Sequence, residues 1–225
     1  MGEMVEFPSN GSTASGYLAS PAGGSGSGVL VIQEYWGLVP HIQDVCERFA
    51  AEGFFALAPD LYHGEHAEEP DEAGKLMMAL NLERAGKDLS GAVDLLLQRS
   101  GRPSIGVVGF CMGGGLALVA GTLRPDAIKA VVAYYGVIPW PSAQPDWSRL
   151  DATVQGHFAA KDAYFTPEKA QELERELQGL GKDVEFFVYP DVDHAFFNDT
   201  RPEVYDGPTA ATAWARTLEH FRSAL

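Results

Sequence analysis

From Gly28 onward, short β-branched runs alternate with stretches whose apolar residues recur at helical spacing. Gly28–Gln33, Phe55–Ala58, Ser104–Gly109, Ile128–Tyr135, Thr153–Ala159 and Val184–Tyr189 read as buried strands, being continuous apolar runs a few residues long bounded by turn residues. In the segment from His41 to Ala51, Ile42, Val45, Cys46, Phe49 and Ala50 fall on one helical face. Leu76–Leu97 reads as a helix broken near Gly86, and Met112–Leu123 and Pro208–Leu225 as further helices. Pro167–Leu180 has proline at its first position and Thr166 as N-cap. Two early strands, near Val5–Phe7 and Gly16–Ser20, read as an antiparallel edge. Strands alternating with helices predict an α/β fold, a mostly parallel sheet with helices on both faces.

Composition narrows the picture. With 225 residues and 46% hydrophobic content the chain is long enough for one well-buried domain, expected to span residues 1–225. Its formal net charge of −15 disfavours nucleic acid and anionic membranes as partners. Pro103–Leu123 carries no charge, but its six glycines and strand-like start fit a buried strand–turn–helix better than a membrane span. The N-terminal residues lack the basic and apolar regions of a secretory signal, which makes a cytoplasmic location the expectation. Cys46 and Cys111 form neither a disulfide framework nor a metal spacing. His63 and His66, near Glu65, Glu68 and Glu69, read as a solvated acidic loop, so no metal is expected. Pro21 to Gly28 is glycine-rich, but a strand follows it where a phosphate cradle needs a helix, and no cofactor is implied.

The chemistry concentrates at Gly109-Phe110-Cys111-Met112-Gly113, which follows a strand and opens a helix. That is the setting of a nucleophile elbow, a sharp turn that lifts the nucleophile above the sheet edge. The next backbone N–H then faces a developing oxyanion, and the helix N-terminus favours negative charge. Cys46, on the apolar face of its helix, reads as core.

An elbow nucleophile needs a base and an orienting acid, in the chain order nucleophile, acid, histidine. His41, His63 and His66 precede Cys111, His157 lies in a strand, and His220 sits late in the closing helix. His194 alone follows a strand and precedes the last helix, at the sheet edge where ligands gather. Asp162, after the next-to-last strand, is the expected acid, with Asp191 and Asp193 in the His194 loop as its nearest rivals. Asp60 and Tyr62 stand at a strand's end, where pocket-shaping and turn roles are equally open.

With these residues in this order, the chain resembles the dienelactone hydrolase family of the α/β-hydrolase fold. The resemblance rests on Gln33-Glu34-Tyr35-Trp36-Gly37, Pro59-Asp60-Leu61-Tyr62, the cysteine elbow, Ala133-Tyr134-Tyr135-Gly136-Val137 and Asp193-His194. It implies Cys111 as nucleophile, His194 as base, Asp162 as orienting acid, and Glu34 as a carboxylate touching the sulfur. It also implies an oxyanion hole from the backbone N–H groups of Tyr35 and Met112. A carboxylate beside a thiol opposes the thiolate, so a neutral resting thiol is expected.

Departures from the family concern the substrate. Where the family keeps an arginine four residues after the histidine, this chain has Asn198, and no arginine stands near Pro70. Arg201 is a distant substitute. With Tyr35, Trp36, Tyr134 and Phe197 as candidate pocket aromatics, the expected partner is a small neutral ester or lactone. The oligomeric state, monomer or small homo-oligomer, is not legible. Rival readings are a thioesterase, acyl transferase or phosphoester-cleaving relative with the same residues, and a redox sensor using Cys111.

Overall fold

The computed structural model describes residues 2–136 and 138–225, so Val137 of the Tyr-Tyr-Gly-Val motif lies outside the described residues. An eight-stranded sheet organises the chain. Its strands are β1 (Glu3–Ser9), β2 (Ser12–Ala19), β3 (Gly28–Ile32), β4 (Phe55–Pro59), β5 (Ile105–Phe110), β6 (Ile128–Tyr134), β7 (Thr153–Ala159) and β8 (Val184–Tyr189). The spatial order is β1-β2-β4-β3-β5-β6-β7-β8. β1 pairs antiparallel with β2, and β2 with β4, while every later pairing is parallel. The antiparallel edge expected from the first residues is therefore present, and the rest is the parallel sheet of an α/β-hydrolase fold.

Among the described residues, five α-helices lie between strands and a sixth follows the last: α1 (Pro40–Ala51), α2 (Pro70–Ala79), α3 (Leu82–Ser100), α4 (Met112–Leu123), α5 (Pro167–Gly179) and α6 (Gly207–Ala224). The strand runs are continuously apolar because both faces are covered. Leu30, Val107 and Val131 point into one layer with α3, α4 and α5, and their neighbours Val31, Val108 and Val132 into the other with α1 and α6. Among the described residues, no helix is long and apolar enough to cross a membrane.

Two local expectations need correction. The break in the long helical segment falls at Leu80, whose backbone turns extended, and not near Gly86, which lies inside α3. Asn81 sets that break: its side chain accepts from the Arg84 N–H at 3.0 Å and starts a new helix. At α5, Thr166 occupies the N-cap position without a side-chain cap hydrogen bond, and Pro167 alone fixes the start.

Candidate active site

Cys111 is the hinge between β5 and α4. Its backbone sits at φ 54° and ψ −119°, a strained conformation for a residue with a side chain. Two glycines make the turn possible. A Cβ on Gly109 would lie 1.9 Å from the Gly113 carbonyl oxygen, and one on Gly113 would lie 2.3 Å from that of Ile32. The Cys111 N–H donates to the Tyr134 carbonyl at 3.0 Å, locking the elbow to the neighbouring strand.

Loops after β7 and β8 bring the next two groups. His194 Nδ1 lies 2.6 Å from Asp162 Oδ2, with the Asp162 side chain fully buried. The other carboxylate oxygen of Asp162 accepts from the N–H groups of Tyr164 at 2.7 Å and Phe165 at 3.0 Å, so the acid also folds its own loop. The two loops are knitted by Ala160 N–H to the Tyr189 carbonyl at 2.9 Å and Lys161 N–H to that of Val192 at 3.1 Å. The rivals Asp191 and Asp193 are exposed, and Asp191 faces Lys161. Neither carboxylate hydrogen-bonds the imidazole among the described residues.

The imidazole of His194 lies between two rings, Tyr135 with centroids 4.9 Å away and Tyr164 at 5.2 Å. Burial pushes its pKa down, but hydrogen bonds to Asp162 and Cys111, with the charges of both, outweigh this and raise it from 6.5 to about 10.

Glu34, in the loop after β3, is 1% exposed. Its Oε2 accepts from Asn198 Nδ2 at 2.7 Å, and its Oε1 from the Tyr135 hydroxyl at 3.5 Å. Among the described residues, the hydrogen bonds of Glu34 run to Asn198 and Tyr135, and its carboxylate lines the same cavity as Cys111. Asn198 stands behind Glu34 and not on the cavity wall. Replacing Asn198 by leucine should leave a buried carboxylate oxygen without its short donor, a loss of about 2–3 kcal/mol. Urea unfolding of Asn198→Leu measures it, and adding Glu34→Gln should reduce the penalty.

Cys111, His194 and Glu34 open on a cavity of about 550 Å³ whose lining is largely apolar. Tyr35, Trp36, Met77, Met112, Pro139 and Tyr164 contribute much of its wall. Arg201 reaches it with its guanidinium 5.7 Å from the Trp36 ring while bonding Glu203. Neither the Tyr35 nor the Met112 N–H donates to a protein acceptor among the described residues.

Two expected pocket residues belong elsewhere. Tyr134 is fully buried in the layer of α1 and α6, its hydroxyl 2.8 Å from Thr217 Oγ1. Phe197 is fully buried in that layer too, stacked on Phe110 at 5.3 Å. In both pairs, Tyr134-Tyr135 and Phe196-Phe197, hydropathy alone does not say which ring meets the site. Tyr135 does so because its backbone leaves the strand at φ 38°. Among the described residues, no group of three or more His, Cys, Asp or Glu side chains could hold a metal ion.

Known proteins resemble this chain over nearly its whole length. The model of the dienelactone hydrolase family matches residues 14–225. Protein usf of Aquifex pyrophilus is 38% identical with both chains fully covered. A protein of Aquifex aeolicus, provisionally named a carboxymethylenebutenolidase, is 33% identical, again over the whole of both chains. A crystal structure from Klebsiella pneumoniae, provisionally described as a dienelactone hydrolase, superposes with a TM-score of 0.88 at 30% identity, covering 99% of this chain and 98% of that one. The strand order, the cysteine elbow and these matches lead to one conclusion: the chain is a hydrolase that belongs to the dienelactone hydrolase family.

Proposed function

We propose that the enzyme hydrolyses small, neutral, partly apolar carboxylic esters or lactones through a thioester on Cys111. The observation that carries this reading is the 2.6 Å His194–Asp162 pair set beside an elbow cysteine in an apolar cavity.

The sulfur of Cys111, its proton passed to His194, attacks the carbonyl carbon, and the carbonyl π electrons move onto oxygen. The N–H groups of Tyr35 and Met112 receive that oxyanion. Collapse breaks the C–O bond, the leaving oxygen takes the proton of His194, and a thioester remains. Water then attacks the thioester, giving a proton to His194, and the second collapse releases the acid and the sulfur.

The electrostatics of His194 suit both halves. In the free enzyme its raised pKa favours the proton on the ring at neutral pH, ready to act as the acid, against the neutral resting thiol that Glu34 alone would favour. Once Cys111 is acylated, the hydrogen bond and charge of the sulfur no longer act on the ring. Its pKa falls back toward the ordinary range, and the same ring becomes the base that deacylation needs.

A small neutral substrate fits the wall chemistry, since the arginines expected for a firmly held carboxylate are missing and Arg201 is already engaged by Glu203. A redox-sensing role would want a resolving thiol, and the other cysteine, Cys46, is fully buried in α1.

The test is direct. Mixing enzyme with excess p-nitrophenyl acetate and quenching within the first turnover should add one acetyl mass to the peptide carrying Cys111. Steady release of nitrophenol without any acylated Cys111 peptide would exclude the thioester route.

A further inference from the structure

The geometry points to Tyr62 as a positioning residue that holds both halves of the oxyanion hole from behind. The inference rests on the thioester reading above, and it concerns a residue that does not line the cavity and meets no substrate.

Tyr62 lies in the loop after β4 and is 7% exposed. Its hydroxyl is 3.2 Å from the carbonyl oxygen of Tyr35 and 3.4 Å from the sulfur of Met112. Those are the two residues whose N–H groups would receive the oxyanion; Tyr35 stands in the loop after β3 and Met112 opens α4 after β5. One phenol thus touches both. Burial, with the nearby Cys111 charge, pushes the phenol above its ordinary pKa, so the hydroxyl remains a donor.

The peptide planes explain why this matters. The Tyr35 N–H belongs to the peptide that carries the Glu34 carbonyl, and that carbonyl accepts from the Gly37 N–H at 3.3 Å. The next plane carries the Tyr35 carbonyl, and Tyr62 holds it. Both planes flanking the Tyr35 Cα are therefore anchored, the first through Gly37 and the second through Tyr62, which limits rotation about that Cα and steadies the N–H of the first plane. An oxyanion hole gains from donors that need no reorganisation as charge develops.

The loop bearing Tyr62 is itself pinned. Asp60 accepts from the Tyr62 N–H at 3.1 Å and the Gly64 N–H at 2.6 Å, and Gln33 Oε1 accepts from the Leu61 N–H at 3.2 Å. On its outer side, His63 Nε2 lies 3.2 Å from the buried Asp88 carboxylate. These bonds fix the phenol from its own backbone, so it can serve as a reference for the loop and the helix start it touches.

The experiment compares two reactions of the same sulfur in Tyr62→Phe. Acylation of Cys111 by p-nitrophenyl acetate passes through a tetrahedral oxyanion. Alkylation by iodoacetamide displaces iodide from a saturated carbon and forms none. Losing the phenol oxygen should slow acylation about tenfold, with the loss in kcat and little change in KM, and should leave alkylation unchanged. The unchanged alkylation rate also reports that the elbow is still folded. Equal slowing of both reactions, or no slowing of acylation, would overturn the role assigned to Tyr62. A wild-type enzyme that is alkylated but never acylated would instead bring down the thioester reading on which it rests.

Discussion

Replacing His194 by alanine is expected to lower kcat on p-nitrophenyl butyrate by about 10⁴-fold or more, because one ring serves both halves of the cycle. Without it, no other imidazole among the described residues lines the cavity to deliver a proton to the leaving oxygen. Asp162 lies behind the ring and fully buried, and Glu34 is held by Asn198 and Tyr135. Deacylation suffers too, since water attacking the thioester has no base. The loss should therefore appear in the burst and in the steady rate alike. Stopped-flow traces separate the two, and a variant that kept a full burst and lost only turnover would restrict His194 to deacylation.

Asp162→Asn is expected to lower kcat by about 10³-fold while preserving the loop. The amide oxygen of asparagine can still accept from the Tyr164 and Phe165 N–H groups, as Asp162 Oδ1 does now. What disappears is the charge behind the imidazole and its control of the tautomer. Stability should change with a definite sign. His194 has a folded pKa of about 10 against 6.5 unfolded, so its protonation stabilises the fold fully below pH 6.5 and loses that contribution as pH rises through 10. Removing the Asp162 carboxylate takes away much of the upward shift. The stability gap between wild type and variant should be widest near pH 6 and narrow toward pH 10. Urea titrations at pH 6, 8 and 10 measure it, and a gap that widens with pH would refute the assignment.

Much of this was legible along the chain. Buried parallel strands and a strand–turn–helix elbow leave strong local marks, since Gly109 and Gly113 meet backbone atoms that no side chain could clear. Helix α4 keeps the bounds Met112–Leu123 that its sequence predicts. Positions decided by small rotations were not legible. Tyr134 and Tyr135 are adjacent and identical, and only the positive φ of the second turns it against His194. Tyr164 has no signal beyond its place two residues after Asp162. The pairing of Asn198 with Glu34 joins residues 164 positions apart, beyond any periodicity or motif. The false break at Gly86 shows the reverse error. Gly86 sits inside α3 without interrupting it, and the chain breaks where Asn81 caps that helix.

Asp162 divides its two oxygens between the imidazole and the backbone of the segment that carries Tyr164. That division limits how this enzyme can diversify. Adding or deleting a residue between Asp162 and Phe165 would break the turn and tilt the acid away from the imidazole, so a change in doorway length would also be a change in rate. Exchanging the side chain at position 164, by contrast, disturbs neither oxygen. Descendants of this sequence can take up new substrates by altering that ring, but not by lengthening the loop that presents it.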